Sequence, residues 1–155
     1  MATIEKFEDL ICFQKSRELA RGVYDSLKEC RDFGFKDQIQ RAAVSVMSNI
    51  AEGFERGTQQ EFLNYLYIAK GSAGEVRAQL YVALDNGYLN TERFIYLSGL
   101  VVECSRLIQS FAEKVKGGAA RGTQFKAIAR KDPMRELLKR EAPEVYEKRY
   151  GNDNI

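Results

Sequence analysis

The residues best suited to chemistry are five polar side chains spaced like one face of a helix. Arg41, Ser45, Asn49, Glu52 and Arg56 follow one another at steps of three or four residues. Such steps place side chains together on an α-helix, where arginine and glutamate can pair. One interpretation is a hydrogen-bonded seam between helices or subunits. The other is a surface on which Arg41 and Arg56 contact phosphate groups.

A second polar series with the same spacing lies about 25 residues further along the chain. The series is Ser72, Glu75 and Gln79, and the helix that carries it also contains two glycines, Gly71 and Gly74. Each glycine costs a helix about 1 kcal/mol relative to alanine. That cost predicts that another backbone approaches this surface, either within the chain or from a second subunit. The two series together give a predicted interface or polar seam: Ser45, Asn49, Glu52, Gly71, Ser72, Glu75 and Gln79.

Groups that commonly carry catalysis are missing from the sequence. The chain has no histidine, which removes Ser-His and Cys-His nucleophile pairs and the Glu-x-x-His pairs of di-iron bundles. Three scattered cysteines, Cys12, Cys30 and Cys104, are too few for a structural zinc site. No phosphate-binding glycine loop is present. We therefore expect no enzyme, metal or cofactor, and a carboxylate-dependent enzyme is the remaining catalytic alternative.

Helices must position these residues, because apolar residues recur at alternating steps of three and four. This pattern is typical of left-handed helix bundles. It predicts helices over about 8–30, 36–55, 59–86 and 91–116, and hence an all-α, antiparallel, up-down four-helix bundle. In the third helix the apolar stripe is Phe62, Leu66, Ala69, Ala73, Val76, Leu80 and Ala83. In the first helix the stripe is less regular and comprises Leu10, Ile11, Leu19, Val23, Tyr24 and Leu27.

Residues typical of helix ends occur at the expected boundaries. Thr58 and Glu61 have the spacing of a capping box at the start of the third helix. Gly87 is suited to ending that helix, because glycine tolerates a left-handed backbone. Asn90 or Thr91 is expected to cap the fourth helix. These short connections predict that helices adjacent in sequence run antiparallel.

The end of the chain differs from the rest in charge. Residues 117–155 carry nine Lys and Arg against six Asp and Glu, whereas residues 1–116 carry fifteen against sixteen. A mildly basic tail fits either a nucleic-acid partner or a solvated segment. Pro133 and Pro143 each predict the start of a short helix. We therefore divide the chain into a bundle domain, 1–117, and a basic C-terminal extension, 118–155, that is partly helical or disordered.

The sequence also favours a particular compartment. Its N-terminal residues MATIEKFEDL are charged where a signal peptide needs an apolar run. No stretch has the length of a membrane span, and three cysteines without a CxxC motif favour a reducing environment. We expect a cytoplasmic protein with no membrane partner.

The segment from Gln38 to Phe54, QIQRAAVSVMSNIAEGF, closely resembles the four-helix bundle proteins of intervening sequences in bacterial 23S ribosomal RNA genes. Further matches lie at 7–10, 61–79 and 86–89, so the resemblance covers about 5–116. It implies an antiparallel bundle that assembles as a homopentamer. It also implies a relation to the accessory (Avd-like) proteins of diversity-generating retroelements, which work with a reverse transcriptase and its template RNA.

The sequence thus leads to one hypothesis of function and one alternative. The hypothesis is a non-enzymatic homo-oligomeric scaffold that binds structured nucleic acid, RNA above all, as an accessory factor to a reverse transcriptase. The alternative is a protein–protein assembly module with no nucleic-acid role. The predicted nucleic-acid contacts are Arg41, Arg56, Arg121, Lys126, Arg130, Lys131, Arg135, Lys139 and Arg140.

Overall fold

The computed structural model describes residues 4–117, 139–140 and 142–150. A short 3-10 helix, Phe7–Asp9, precedes four long α-helices, and a short helix lies near the C-terminus. The α-helices described are α1 (Ile11–Ser26), α2 (Phe33–Arg56), α3 (Gln59–Asp85), α4 (Thr91–Lys116) and the short α5 (Pro143–Tyr150). None of the described residues forms a strand.

The four long helices pack in a closed square. Helix α2 packs against α3, α3 against α4, and α1 against both α2 and α4. The connections are short, and the longest is 27–32, so helices adjacent in sequence run antiparallel. The predicted all-α, antiparallel, up-down four-helix bundle is confirmed.

The core is centred on the apolar stripe of α3. All seven predicted stripe residues of this helix are at most 1% exposed. The Phe62 ring packs edge-on against Phe54 of α2 at 5.8 Å and against Phe111 of α4 at 5.5 Å. Burying one such large side chain contributes roughly 1.5–3 kcal/mol. The alternation of three- and four-residue steps is therefore what joins α3 to both of its neighbours.

The helix ends use the predicted residues with one change in detail. The Thr58 hydroxyl accepts from the Glu61 amide at 3.3 Å and donates to the Glu61 carboxylate at 2.6 Å. That carboxylate therefore binds the hydroxyl, whereas a capping box would place it on the backbone amide. Asn90 caps α4 by accepting from the Arg93 amide at 2.8 Å. Gly87 has a φ of 71°, the left-handed backbone that its role at the end of α3 requires.

The predicted first helix, 8–30, was too long. Leu10 has an extended backbone and Leu27 leaves the helical region, so α1 spans only Ile11–Ser26. The prediction that Ile11 and Tyr24 belong to the apolar stripe facing the core is also wrong, because Ile11 is 61% and Tyr24 45% exposed. Smaller residues that the apolar stripe overlooked are buried instead: Cys12, Ser16, Ala20 and Gly22.

Helix α2 begins three residues before the predicted position 36. The Asp32 carboxylate accepts from the Phe35 amide at 3.1 Å, which satisfies a donor of the first turn and lets the helix start at Phe33. This cap lies before a glycine and two phenylalanines, so the apolar period alone did not show it.

The C-terminal region is described in part. Helix α5 begins at Pro143, as predicted, whereas the predicted helix start at Pro133 lies outside the described residues. The division into a bundle and an extension stays a prediction. In the part of the chain that the structure describes, no helix is long and apolar enough to cross a membrane.

Candidate functional site

Two grooves run along α3, one on each side, and polar residues singled out in the sequence lie in or beside the first of them. The α2–α3 groove contains Ser45, Asn49 and Glu52 of α2 with Tyr65 and Ser72 of α3. The α3–α4 groove is lined by Lys70, Ser105, Arg106, Gln109, Ser110 and Glu113. The sequence predicted residues of the first groove and overlooked the second.

The α2–α3 groove is closed by a hydrogen-bonded seam. The hydroxyls of Ser45 and Ser72 share a hydrogen bond of 2.9 Å between the two helices. The amide of Asn49 donates to the Ser45 hydroxyl at 2.9 Å and to the Ser45 carbonyl at 2.8 Å. Three of the predicted seam residues are therefore joined directly, and they satisfy one another within the chain.

A glycine brings the two helices together beside this seam. A Cβ atom placed on Gly53 would lie 2.5 Å from the Cβ of Tyr65 and 3.0 Å from a ring atom of Phe62. Among the described residues no such constraint exists at Gly71 or Gly74, where no atom outside the helix itself lies within 4 Å of the Cβ position. The expected close approach within the chain is therefore wrong for these two glycines and occurs at Gly53 instead.

The arginines of the α2 face are held by carboxylates. Arg56 pairs with Glu52 at 2.8 Å and lies 3.9 Å from a Glu61 oxygen, and its guanidinium is 5.2 Å from the Tyr65 ring centre. Arg41 pairs with Asp37 at 2.9 Å. A carboxylate therefore offsets the charge of each arginine predicted to contact phosphate on this helix.

Glu52 is held in its charged form. Hydrogen bonds from Arg56 and from the Tyr65 hydroxyl lower the pKa of its carboxyl group; the hydroxyl donates at 3.1 Å. A general acid at neutral pH needs the opposite shift. The chemistry available to Glu52 is ionic pairing rather than proton donation.

The remaining predicted interface residues lie outside the seam. Gly71 and Glu75 are exposed on the outer side of α3. Gln79 is half-buried, and its buried side-chain oxygen has no hydrogen-bond partner among the residues that the structure describes. The structure therefore separates the predicted set into a joined seam and an outer face of α3.

The α3–α4 groove is an open cleft of about 320 Å³. The Lys70 ammonium donates to the Gln109 side-chain oxygen at 2.7 Å, and Gln109 donates onward to Glu113 at 3.0 Å. Neither Arg106 nor Arg77 forms a hydrogen bond or ion pair with another described residue. Arg77 is seven residues, about two turns, from Lys70 and so lies on the same side of α3.

Two exposed tyrosines of α3 lie on the same side of the helix as Lys70 and Arg77, one before and one after them. Tyr67 is 41% and Tyr81 54% exposed. The Lys116 ammonium lies 6.0 Å from the Tyr67 ring centre, and the Tyr81 ring packs against Phe94 at 5.3 Å. The available signal in the sequence was the spacing of positions 67, 70, 74, 77 and 81 at steps of three and four.

The predicted contacts in the C-terminal extension are only partly described. Lys139 and Arg140 are exposed, and the Lys139 ammonium lies 5.9 Å from the Tyr146 ring centre. The others lie outside the described residues: Arg121, Lys126, Arg130, Lys131 and Arg135.

The cysteines provide no reactive thiol in the bundle core. Burial raises the pKa of Cys12 to about 12 and that of Cys104 to about 11, which disfavours the thiolate that nucleophilic chemistry requires. The described residues also contain no group of three or more histidine, cysteine or acidic residues that could hold a metal ion.

Comparisons with known proteins agree with this architecture. A sequence comparison with curated proteins finds no match. A crystal structure of a protein of unknown function from the S23 ribosomal protein family of Bacteroides thetaiotaomicron VPI-5482 is 26% identical. It superposes with a TM-score of 0.62 over 66% of this chain and 98% of its own. The family model described as 23S rRNA-intervening sequence protein matches residues 8–110, and the chain belongs to this family.

Proposed function

We propose that the protein is a non-enzymatic, homo-oligomeric helical scaffold that binds structured RNA. The observation that carries the proposal is a face on the outer side of α3 that the other described helices leave exposed. This assembly face consists of Ile68, Gly71, Glu75, Ala78 and Val82, at steps of three and four residues. Ile68 is 50% and Val82 44% exposed, on a helix whose opposite side is the centre of the core.

The small residues at the centre of this face support contact between copies. Apart from its own helix, no described residue has an atom within 4 Å of the Cβ position of Gly71, so packing among the described residues does not explain the glycine. Small residues let two helix backbones approach closely, and the apolar residues beside them gain burial in the contact. We therefore place the subunit contact on the assembly face and, following the family resemblance, propose a pentamer.

The nucleic-acid part of the proposal rests on family and charge. The family is described by its association with intervening sequences of 23S rRNA, which makes RNA the natural first partner to test. Lys139 and Arg140 of the basic extension are exposed. A ring would present several copies of each cationic surface, and such multivalency strengthens binding to a long polymer. A role beside a reverse transcriptase is a further proposal from the same resemblance.

Light scattering on the full chain tests the assembly. We expect a ring mass for the wild type and a smaller species for Ala78→Glu, because a charge would be buried at the contact. Ser48→Glu, an exposed position on α2, is the matched control and should leave the ring intact. A wild-type monomer at high concentration would remove the assembly from the proposal.

An RNA-binding measurement tests the nucleic-acid part of the proposal. We expect the full chain to bind a transcribed hairpin RNA with an affinity that falls steeply as salt increases. An unrelated protein of the same net charge should bind more weakly. If the two bind alike while the ring persists, the function becomes the alternative, a protein–protein assembly module.

A further inference from the structure

We propose that the α3–α4 groove binds an unpaired segment of RNA. Its phosphates would lie on Lys70, Arg77 and Arg106, and its bases would stack on Tyr67 and Tyr81. This inference rests on the proposed function, because it locates the RNA on the bundle itself.

The cations of this groove keep their charge available to a ligand. Arg77 and Arg106 have no ion pair among the described residues. Lys70 is held by the neutral Gln109 at 2.7 Å, which orients the ammonium without neutralising it. Glu113 is the single acidic residue that lines the cleft, and it accepts from Gln109 at 3.0 Å. A net positive groove attracts an anionic polymer, and phosphate is the anion that arginine forks fit best.

The acidic residue of α4 that is closest in sequence to Arg106 is directed away from the groove. Glu103, three residues before Arg106, lies 3.7 Å from Lys15 of α1. It could otherwise pair with Arg106 along the helix. Because Glu103 contacts α1, the side of α4 that faces α3 keeps its positive charge.

The two tyrosines indicate a single strand rather than a duplex. Tyr67 and Tyr81 are half-exposed, and 14 residues separate them, which is about 21 Å along the helix axis. Grooves that bind unpaired nucleic acid combine cations with aromatic rings on which bases stack. Bases in a duplex are stacked on one another and do not reach such rings.

The centre of the groove is open and bordered by groups that can bind ribose. Gly74 lies between Lys70 and Arg77, and apart from its own helix no described residue has an atom within 4 Å of its Cβ position. Ser105 and Ser110 line the cleft opposite, and serine hydroxyls can both donate to and accept from a ribose 2′-hydroxyl. The groove therefore provides partners for all three parts of a nucleotide.

This groove lies beside the assembly face without coinciding with it. Positions 67, 70, 74, 77 and 81 are each one residue before those of the assembly face, a rotation of about 100° around the helix. A copy seated on the assembly face would thus border the groove, and a ring would carry one groove per subunit.

The experiment measures how tightly a labelled oligouridine binds to the full-length protein over a range of salt concentrations. The oligouridine has about 12 nucleotides, which is long enough for a groove of this class. We expect Arg77→Gln/Arg106→Gln to lower the slope of log affinity against log salt by about 1.4, since each phosphate contact on a single strand contributes about 0.7. Tyr67→Ala and Tyr81→Ala should each weaken binding by at least about fivefold with the slope unchanged.

The matched control is Arg17→Gln/Arg21→Gln, which removes the same charge from exposed positions of α1, a helix that does not border the groove. Arg77→Lys/Arg106→Lys should restore most of the slope, which a merely structural role of the arginines would not predict. Equal losses in the groove and α1 variants would overturn the groove while leaving RNA binding in place. A wild type without RNA affinity would overturn both proposals.

A competition separates RNA from an acidic polypeptide. Polyglutamate at the same charge concentration should displace the oligouridine poorly, because it offers no bases for the tyrosines. Displacement as effective as that by unlabelled oligouridine would overturn the RNA assignment in favour of an acidic protein partner.

Discussion

The two grooves beside α3 contain similar residues but use their charges differently. In the α2–α3 groove, serine and asparagine side chains bind one another, and Arg56 is held by Glu52 at 2.8 Å. In the α3–α4 groove, a cleft of about 320 Å³ stays open, and Arg106 has no acidic partner among the described residues. The first groove holds the bundle together, and the second is available for a ligand.

The difference can be traced to residues four positions apart. Arg41 and Arg56 each follow an acidic residue by one helical turn, Asp37 and Glu52, and each pairs with it. Arg77 follows Ala73 and Arg106 follows Val102 at the same distance, so their own helices offer no partner there. An acidic residue four positions earlier on the same helix thus distinguishes the paired Arg41 and Arg56 from Arg77 and Arg106.

The largest expected contrast is between two glycines. Gly53→Ala should destabilise the protein by about 2–4 kcal/mol, because the new methyl would overlap the Cβ of Tyr65, an atom too close to the backbone to move aside. Gly74→Ala should stabilise it by roughly 0.5–1 kcal/mol, because the position is open and alanine favours helix. Urea unfolding measures both, and equal effects at the two sites would contradict the difference in packing between the grooves.

A smaller contrast is expected between two serines. Ser72→Ala removes the hydroxyl bonded to Ser45 and should cost about 1 kcal/mol. Ser105→Ala, in the open cleft, should change the free energy of unfolding by less than about 0.5 kcal/mol. Thermal unfolding of the two variants compares them, and the idea of a closed seam fails if Ser105 proves the more costly.

The smallest effect concerns pH. Arg56 and Tyr65 lower the pKa of Glu52 below its usual 4.5, so charged Glu52 stabilises the fold above that pH. The contribution is lost as pH falls from 4.5 towards the lowered pKa, where the folded state also becomes protonated. Wild type and Glu52→Gln should therefore differ in urea midpoint at neutral pH and converge in acid. A difference that grows on acidification would show that the ion pair is misassigned.

The sequence predicted most of the fold and only part of the candidate site. Regular steps of three and four residues defined α3 and α4, since the apolar residues at those steps face the core. The same reasoning misplaced α1, where Cys12, Ser16 and Ala20 are buried and Ile11 is exposed, because small residues carry little hydrophobic signal.

The second groove was harder to predict because its residues come from different helices. Lys70 and Arg106 are 36 positions apart in the sequence, and each alone is indistinguishable from an ordinary surface cation. They become a pair only when α3 packs against α4. The seam residues, by contrast, were found because each helix carries several of them at regular spacing.

Photo-crosslinking with oligouridine that contains 4-thiouridine tests the assignment of RNA to the α3–α4 groove most directly. We expect crosslinks in the tryptic peptides 57–70 and 78–93, which contain Tyr67 and Tyr81. These crosslinks should be lost in Arg77→Gln/Arg106→Gln. Crosslinks confined to the α2 peptide 42–56, or to residues beyond Gly117, would contradict it.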